Sequence, residues 1–397
     1  MKAVEIKKGI YWVGAIDYNL RSFHGYTTHR GTTYNAYLVI DEKTALIDTV
    51  KAPFSRELLT RISSVINPEK IDYLIANHVE MDHSGSASAV VEQAGDIEVI
   101  CTAKGKEFLH GHYHDSKEWD IRTVGSEDTL RLGKRTLSFI PAPMLHWPDT
   151  MFTYSASERV LFSNDGFGQH IATSRRFCDE AGDWNVFGEA QKYYANILMP
   201  YSRIAAKKLD ELKDVAVEVV CPSHGVIFRT HDDINRIVSL YKSWAAGESK
   251  EKAVIVYDTM YNSTEKMART IEEGLLIEGI DTRIFNLRVS DISDIMSEIL
   301  DAKAVVVGSS TLNNGPMPSI GGFLTYLKGL RPRGKIGAAF GSYGWGGGAI
   351  KAITGELEAT GFELPVEGFQ TKFVPRSDAL DESFELGVQL ANHIKMR

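Results

Sequence analysis

Apolar residues in the first part of the chain occur in short runs separated by polar turns, a pattern typical of β-strands. These runs predict strands at residues 34–40, 45–48, 73–76, 97–101, 136–140, 159–163 and 217–221. Apolar residues at helical spacing lie between some of them, for example at residues 88–93 and 205–212. The pattern therefore predicts a strand-rich first part with helices on the outside.

From residue 253 the pattern of apolar residues changes and predicts alternating strands and helices. Strands are predicted at residues 254–257, 282–286, 304–308, 335–340 and 371–374, and helices at residues 265–278, 292–300, 320–327 and 349–360. This alternation is typical of a doubly wound parallel sheet. Residues 245–252 are mostly small or charged, so we predict two domains, at residues 1–249 and 250–397.

Composition and charge narrow the class of protein. The formal net charge of the 397 residues is −8, with no block rich in lysine and arginine, which argues against a nucleic-acid platform. The N-terminus lacks an apolar signal core and no apolar run is as long as a membrane span, so we expect a cytoplasmic protein. Three distant cysteines fit a reducing compartment and exclude a built-in four-cysteine iron centre.

Histidine and carboxylate residues follow four of the predicted strands. The candidates are His78, Glu80, Asp82 and His83 after the strand at residues 73–76, and His146, Asp165 and His224 after later strands. Loops at strand ends are held by a rigid scaffold, where polar side chains can converge. Four such strand ends favour a metal site over a set of isolated structural histidines.

These seven residues resemble the dinuclear site of the metallo-β-lactamase fold. Hydrolases of that superfamily have histidine at the position of Glu80, so this chain departs from them there. Glu80, Asp82 and Asp165 supply three negative charges, which offset two cations and favour iron over zinc. A redox metal is therefore expected, although zinc can occupy such a site during expression.

Three loops in the second part follow strands that end at one edge of the predicted sheet, where open parallel sheets bind ligands. The predicted cofactor-binding residues are Thr259, Met260, Tyr261, Asn262, Ser263, Thr264, Ser310, Thr311, Leu312, Asn313, Asn314, Gly315, Ser342, Tyr343, Gly344, Trp345 and Gly346. Hydroxyl groups at a helix start form a phosphate cradle, although alone they would serve equally well as helix caps. The glycines admit a flat ring, which Tyr343 or Trp345 flanks. The arrangement resembles flavodoxin and implies FMN, whereas the dinucleotide fingerprint at residues 344–349 is interpreted as accidental.

Motifs along the whole chain resemble the flavodiiron proteins, also called A-type flavoproteins. The motifs lie at residues 23–26, 31–35, 78–83, 146–149, 164–169, 193–196 and 222–225. The resemblance implies that one iron is held by His78, Glu80 and His146, the other by Asp82, His83 and His224, and that Asp165 bridges them. It also places His24 and Tyr194 in the substrate pocket as donors of protons or hydrogen bonds, with simple packing beside the site as the alternative.

The resemblance implies a fold and an activity. The fold is α/β, with an N-terminal metallo-β-lactamase-like αββα sandwich followed by a flavodoxin-like doubly wound parallel sheet. The activity is reduction of dioxygen to water, of nitric oxide to nitrous oxide, or of both, with FMN passing electrons to a non-haem diiron centre. A head-to-tail homodimer or a dimer of dimers is implied, with electrons from a separate rubredoxin or from a reduced deazaflavin.

Two other functions stay open from the sequence. One is a hydrolase of the lactamase superfamily with a flavodoxin-like appendage, which two zinc ions and ester cleavage would indicate. The other is a flavin-binding electron carrier whose first domain is a relic. Residues 110–115 contain three more histidines, but no strong strand leads into them, so we interpret them as a solvated surface segment.

Overall fold

The computed structural model describes residues 1–182 and 184–396. Asp183 and Arg397, the latter being the last residue of the predicted second domain, lie outside this description. The chain forms two compact units. The first consists of Met1–Tyr193 and Arg203–Lys242, and the second of Tyr194–Ser202 and the chain from Ser243 onward. The predicted domain boundary after residue 249 stays a prediction, and the assignment of Tyr194–Ser202 to the second unit was not anticipated.

Sixteen strands precede residue 223 in the described chain. They are β1 Val4–Lys7, β2 Ile10–Trp12, β3 Ala15–Asp17, β4 Ser22–Phe23, β5 Tyr26–Thr27, β6 Thr32–Tyr34, β7 Tyr37–Ile40, β8 Thr44–Ile47, β9 Tyr73–Ile75, β10 Glu98–Cys101, β11 Asp120–Thr123, β12 Thr129–Arg131, β13 Thr136–Pro141, β14 Met151–Ser155, β15 Val160–Asn164 and β16 Val219–Pro222. The α-helices of this part are α1 Ser55–Ser63, α2 Met81–Ser84, α3 Ala87–Ala94, α4 Ala103–His112, α5 Val186–Tyr193, α6 Ser202–Glu211 and α7 His231–Ala246.

Two sheets enclose the main core of the first unit. One has the order β1-β2-β7-β8-β9-β10-β11 and the other the order β12-β13-β14-β15-β16. Side chains alternate across a strand, so Ile47 and Ile75 join the core shared with Phe139 and Phe162 of the other sheet. Leu46 and Leu74 point the opposite way, into a second core, which α1 and α3 help to form. This arrangement confirms the predicted sandwich.

The predicted strand at residues 34–40 is interrupted in the structure. β6 pairs with β3, β7 pairs with β2, and Asn35 and Ala36 lie between them. The backbone N–H of Asn35 donates to Ser223 O at 2.8 Å, and its side chain accepts from Trp12 Nε1 and donates to Pro222 O. These bonds bring the chain next to the loop after β16, so the break positions part of the site described below.

The second unit contains a parallel five-stranded sheet of order β18-β17-β19-β20-β21. Its elements are β17 Lys250–Asp258, α8 Ser263–Ile277, β18 Asp281–Asn286, α9 Ile292–Leu300, β19 Ala302–Ser310, α10 Pro318–Leu330, β20 Ile336–Tyr343, α11 Ala349–Thr360, β21 Phe369–Lys372 and α12 Ser377–Lys395. This strand order is that of a flavodoxin-like doubly wound sheet. The prediction is confirmed, with α12 as an addition, and none of the described helices is long and apolar enough to cross a bilayer.

Candidate metal centre and flavin cavity

The seven predicted metal ligands follow strand ends of both sheets of the first unit. His78 and Glu80 lie between β9 and α2. Asp82 and His83 lie within α2, which is a single helical turn. His146 lies on the loop from β13 to β14, Asp165 directly follows β15, and His224 is the second residue after β16. All are buried except His146, whose side chain is 14% exposed. The structure therefore brings all seven predicted ligands to one edge of the sandwich.

Four of these residues form the first half of the cluster. His146 Nε2 lies 3.2 Å from Glu80 Oε2 and 3.4 Å from Asp165 Oδ2. His78 Nε2 lies 3.3 Å from the same Glu80 oxygen and 3.7 Å from Asp165 Oδ2. Ligand atoms around one transition metal, each about 2.1 Å from it, lie roughly 3 to 3.5 Å apart. The four side chains therefore have the spacing of ligands to one ion.

The second half of the cluster is built in the same way. His83 Nε2 lies 3.4 Å from Asp82 Oδ1 and 3.2 Å from Asp165 Oδ1. His224 Nε2 lies 3.2 Å from Asp82 Oδ2 and 3.5 Å from the same Asp165 oxygen. Asp165 thus turns one carboxylate oxygen toward each half. This is the arrangement expected of a carboxylate that bridges two ions.

The pKa shifts of the cluster residues indicate that the carboxylates attract positive charge. Burial lowers the pKa of His78, His83 and His146, but the neighbouring carboxylates outweigh burial and raise each pKa to about 10. Burial raises the pKa of Glu80 and Asp165, yet their histidine neighbours hold both below the usual range. The carboxylates therefore remain charged at neutral pH and suit cationic partners.

Unpaired oxygen atoms provide a direct test of whether metal ions fit. Both carboxylate oxygens of Asp82 and Oδ2 of Asp165 are buried and have no hydrogen-bond partner within the described chain. Buried carboxylates without partners are costly unless they coordinate metals. Asp149 Oδ2 accepts from His78 Nδ1 at 2.9 Å, which leaves Nε2 of that ring as the atom facing the cluster. Such carboxylate–histidine pairs orient metal-binding rings, so the residues fit a dinuclear metal centre.

Asp48, which no sequence motif singles out, connects three of the ligand loops through hydrogen bonds. Asp48 Oδ1 accepts from Asn77 N at 2.8 Å, and Oδ2 accepts from Asn164 Nδ2 at 3.2 Å. Asn164 Nδ2 also donates to Ser223 Oγ at 3.1 Å. Asn77, Asn164 and Ser223 each directly precede a predicted ligand. Since Asp48 follows β8 of one sheet and Asn164 ends β15 of the other, this network joins the sheets beside the cluster.

The two predicted proton donors, His24 and Tyr194, differ in their position: His24 contacts a predicted ligand, and Tyr194 belongs to the second unit. His24 Nε2 lies 2.5 Å from Glu80 Oε1, and its side chain is 68% exposed. The hydrogen bond to Glu80 raises the pKa of His24. Tyr194 belongs to the second unit, where its hydroxyl donates to Ser202 Oγ at 3.0 Å. In the first unit, the adjacent Tyr193 donates to Asp165 Oδ1 at 2.9 Å, a contact that was not predicted.

A cavity of about 520 Å³ lies at the carboxyl edge of the parallel sheet in the second unit. Its lining comprises Met260, Tyr261, Ser263, Ser310, Thr311, Asn313, Asn314, Ser342, Tyr343, Gly344, Trp345, Gly346, Phe373 and Val374. Twelve of these fourteen were predicted, whereas Phe373 and Val374, which follow β21, were not. The rule that ligands bind beyond the carboxyl ends of strands would have found both. Thr259, Asn262, Thr264, Leu312 and Gly315 belong to the same loops but not to this lining.

Hydroxyl groups from three loops lie together at the base of this cavity, where Ser310 and Ser342 belong to its lining. Thr264 Oγ1 lies 3.1 Å from Ser310 Oγ and 3.2 Å from Ser342 Oγ. Thr259 Oγ1 is buried and has no hydrogen-bond partner in the described part of the chain. Tyr261 and Trp345 are 90% and 96% exposed, unusual for large aromatic side chains. A hydroxyl cradle beside exposed aromatic rings fits a ligand with a phosphate and a flat ring system, as FMN has.

Residues 110–115 behave as predicted for a surface segment. His110 Nδ1 lies 2.9 Å from Ser116 Oγ, and His112 and His114 are exposed. No group of three or more metal-binding side chains found in the described residues includes them. Substitution of one of these histidines is therefore a suitable control for substitution of a predicted ligand histidine.

Comparisons with known proteins show which family the chain resembles. Residues 32–225 match the family model described as ODP family beta lactamase, and residues 255–387 match that of flavodoxin. The chain is 50% identical to a nitric oxide reductase of Moorella thermoacetica, with 98% of both chains covered. It is 44% identical to a rubredoxin-oxygen oxidoreductase of Megalodesulfovibrio gigas, over 100% of this chain and 99% of that one. A crystal structure of the flavodiiron protein from Giardia intestinalis matches with a TM-score of 0.97 and 36% identity, covering 100% of this chain and 97% of that chain.

The chain belongs to the flavodiiron proteins. It is therefore an oxidoreductase, and its cofactors are FMN and a non-haem diiron centre. The predicted hydrolase alternative is not supported, because these relatives are named as oxidoreductases. The individual ligand assignments and the role of Tyr194 stay predictions, which the geometry above supports to different degrees.

We expect Asp48→Ala to release metal and to lower stability. Alanine removes the acceptor of two buried donors, at a cost of about 2–4 kcal/mol, and disfavours the left-handed backbone at residue 48, where φ is 54°. Iron affinity should fall about 10–100-fold, as for other residues that orient ligands. Iron per chain after dialysis against a chelator measures the effect.

Two further variants separate positioning from general destabilisation. Asp48→Asn keeps an acceptor for Asn77, and the side-chain amide of Asn164, whose oxygen has no partner in the described structure, can rotate to accept the new donor. It should retain iron. Asp72→Ala removes the acceptor of Thr44 N just before β9, at the opposite end of that strand. Iron loss as great in Asp72→Ala as in Asp48→Ala would contradict this role of Asp48.

Proposed function

We propose that this protein reduces dioxygen to water, nitric oxide to nitrous oxide, or both, at the cluster of seven ligands. The observation that carries the proposal is the position of Asp165, whose two oxygens face two separate sets of histidine and carboxylate side chains. A bridging carboxylate supports two metal ions close enough to act on one small substrate. The names of the relatives from Moorella thermoacetica and Megalodesulfovibrio gigas support both substrates.

Ligand chemistry favours iron at this site. His78, Glu80, His146 and Asp165 would hold one ion, and Asp82, His83, His224 and Asp165 the other. Three carboxylates bring more negative charge than a hydrolytic zinc site needs, and this charge offsets oxidised iron. When bound, two ferrous ions and one reduced FMN supply the four electrons that reduction of dioxygen to water consumes.

Side chains around the cluster can donate protons and hydrogen bonds to the site. His24 reaches from solvent to Glu80, and the hydrogen bond to Glu80 raises the pKa of His24. We propose that His24 donates protons or hydrogen bonds at the site. Tyr193 is buried, and its hydrogen bond to Asp165 stabilises the charged carboxylate. The buried rings of Tyr34 and Tyr193 lie against His224, and electrostatic interactions are stronger where water is scarce.

Electrons arrive from outside this chain in our proposal. A rubredoxin is the proposed donor, supported by the name of the Megalodesulfovibrio gigas relative, and a reduced deazaflavin is the alternative. The three cysteines are unpaired, which supports a reducing, cytoplasmic location. We also propose a head-to-tail homodimer or a dimer of dimers, in which the flavin of one subunit faces the irons of its partner.

Anaerobic mixing tests the reaction. Iron-loaded protein is reduced without oxygen and mixed separately with dioxygen and with nitric oxide, and the products are quantified. Consumption of either gas with water or nitrous oxide as product supports the proposal. His146→Ala should lower gas consumption at least about 100-fold while FMN content is retained, whereas His110→Ala should match the wild type. Undiminished consumption in His146→Ala, or ester cleavage with two zinc ions and no gas consumption, would contradict it.

Mixed dimers test the proposed assembly. His146→Ala lacks a working metal centre, and Gly346→Trp fills the flavin cavity. If electrons pass between subunits, co-expression of the two inactive variants should restore about a quarter of wild-type activity, since half of randomly formed dimers are mixed and each has one working pair. No restoration in dimers shown to be mixed, or an active monomer in sedimentation, would contradict a head-to-tail arrangement.

A further inference from the structure

Asp258 is a buried carboxylate at the start of the loop predicted to hold the FMN phosphate. It ends β17 and is 3% exposed. Its Oδ1 accepts the backbone N–H of Thr259, the first residue of that loop, at 2.7 Å. An N–H group that could donate to a phosphate is thus used to bind a negatively charged side chain of the protein itself.

Two other segments contact the same carboxylate. Ser319, in the first turn of α10, donates to Asp258 Oδ2, and Arg288 Nε, on the loop after β18, donates to Oδ1 at 2.7 Å. Asp258 therefore joins the phosphate loop to the start of α10 and to the loop after β18. Arg288 is the only cation paired with it among the described residues, and its side chain is half exposed.

This arrangement has an electrostatic consequence for a dianionic ligand. Both ends of the loop from Thr259 to Thr264 meet Ser310 Oγ, because Met260 N donates to it at 3.3 Å and Thr264 Oγ1 lies 3.1 Å from it. A phosphate bound beside these groups therefore lies within roughly 10 Å of Asp258. Two negative charges at this distance repel each other strongly in a partly buried setting, where water screens them less. Arg288 offsets the charge of Asp258 without lining the cavity itself.

We propose that Arg288 is a remote determinant of FMN affinity, acting by neutralising Asp258 beneath the phosphate loop. It is a positioning and charge-balancing residue that does not touch the ligand. The inference rests on FMN binding in this cavity, as proposed above. Its signature is selectivity: loss of Arg288 weakens FMN, which carries a phosphate, and spares riboflavin, which has the same ring system without one.

Flavin titrations of the full-length apoprotein test this inference. Fluorescence quenching gives the Kd of FMN and of riboflavin for each variant. Arg288→Gln should weaken FMN about tenfold and change riboflavin by less than about twofold. Adding Asp258→Asn to Arg288→Gln should return FMN affinity to within about threefold of wild type, because asparagine keeps the oxygen that accepts from Thr259 and removes the charge.

Arg283→Gln is a matched control, since Arg283 has the same 50% side-chain exposure as Arg288 and pairs with the exposed Asp281. It should change neither affinity. Equal weakening of FMN and riboflavin by Arg288→Gln, no weakening of either, or no rescue by Asp258→Asn would overturn the inference. Failure of the wild-type apoprotein to bind FMN at all would instead overturn the proposed function.

Discussion

Seven ionisable side chains lie together in the interior of the first unit. The repulsion among their carboxylates is the interaction that the surrounding structure has to balance. Glu80, Asp82 and Asp165 are buried together, and Asp82 has no hydrogen-bond partner for either oxygen in the described structure. Three buried carboxylates would repel one another unless positive charge lay between them. The four histidines present neutral nitrogen ligands once metal ions take over this role. Two metal ions thus turn an unfavourable cluster into a stable one.

The sandwich is suited to meet this constraint because its two sheets deliver ligands from different strands to one edge. β9 leads to the ligands at residues 78–83, while β15 and β16 lead to Asp165 and His224. Asp48 hydrogen-bonds to Asn77 and Asn164 and so fixes the spacing between the sheets at this edge. In the second unit, Asp258 joins three segments at the flavin cavity in a similar way. Each site therefore lies beside a buried aspartate that is outside the predicted binding residues.

Much of this architecture could be predicted because apolar periodicity and ligand-rich strand ends are local signals. Helices α9 and α11 have the predicted bounds, and the seven ligands converge as expected. Asn35 interrupts a predicted strand through hydrogen bonds with Ser223 and Trp12. This break could not be predicted, because both partners are distant from Asn35 in sequence. The contact of Tyr193 with Asp165 was not predicted, because the adjacent Tyr194 is chemically identical and the sequence does not show which of the two turns toward the cluster. Asp48 and Asp258 act through tertiary hydrogen bonds, which no local pattern reveals.

Anomalous diffraction from crystals of the iron-loaded protein tests the central claim most directly. Data collected on both sides of the iron absorption edge should show two iron peaks per chain. One should lie among His78, Glu80 and His146 and the other among Asp82, His83 and His224, with an oxygen of Asp165 beside each. A single peak, a peak away from these side chains, or zinc in both positions of a protein that still reduces dioxygen or nitric oxide would contradict the account.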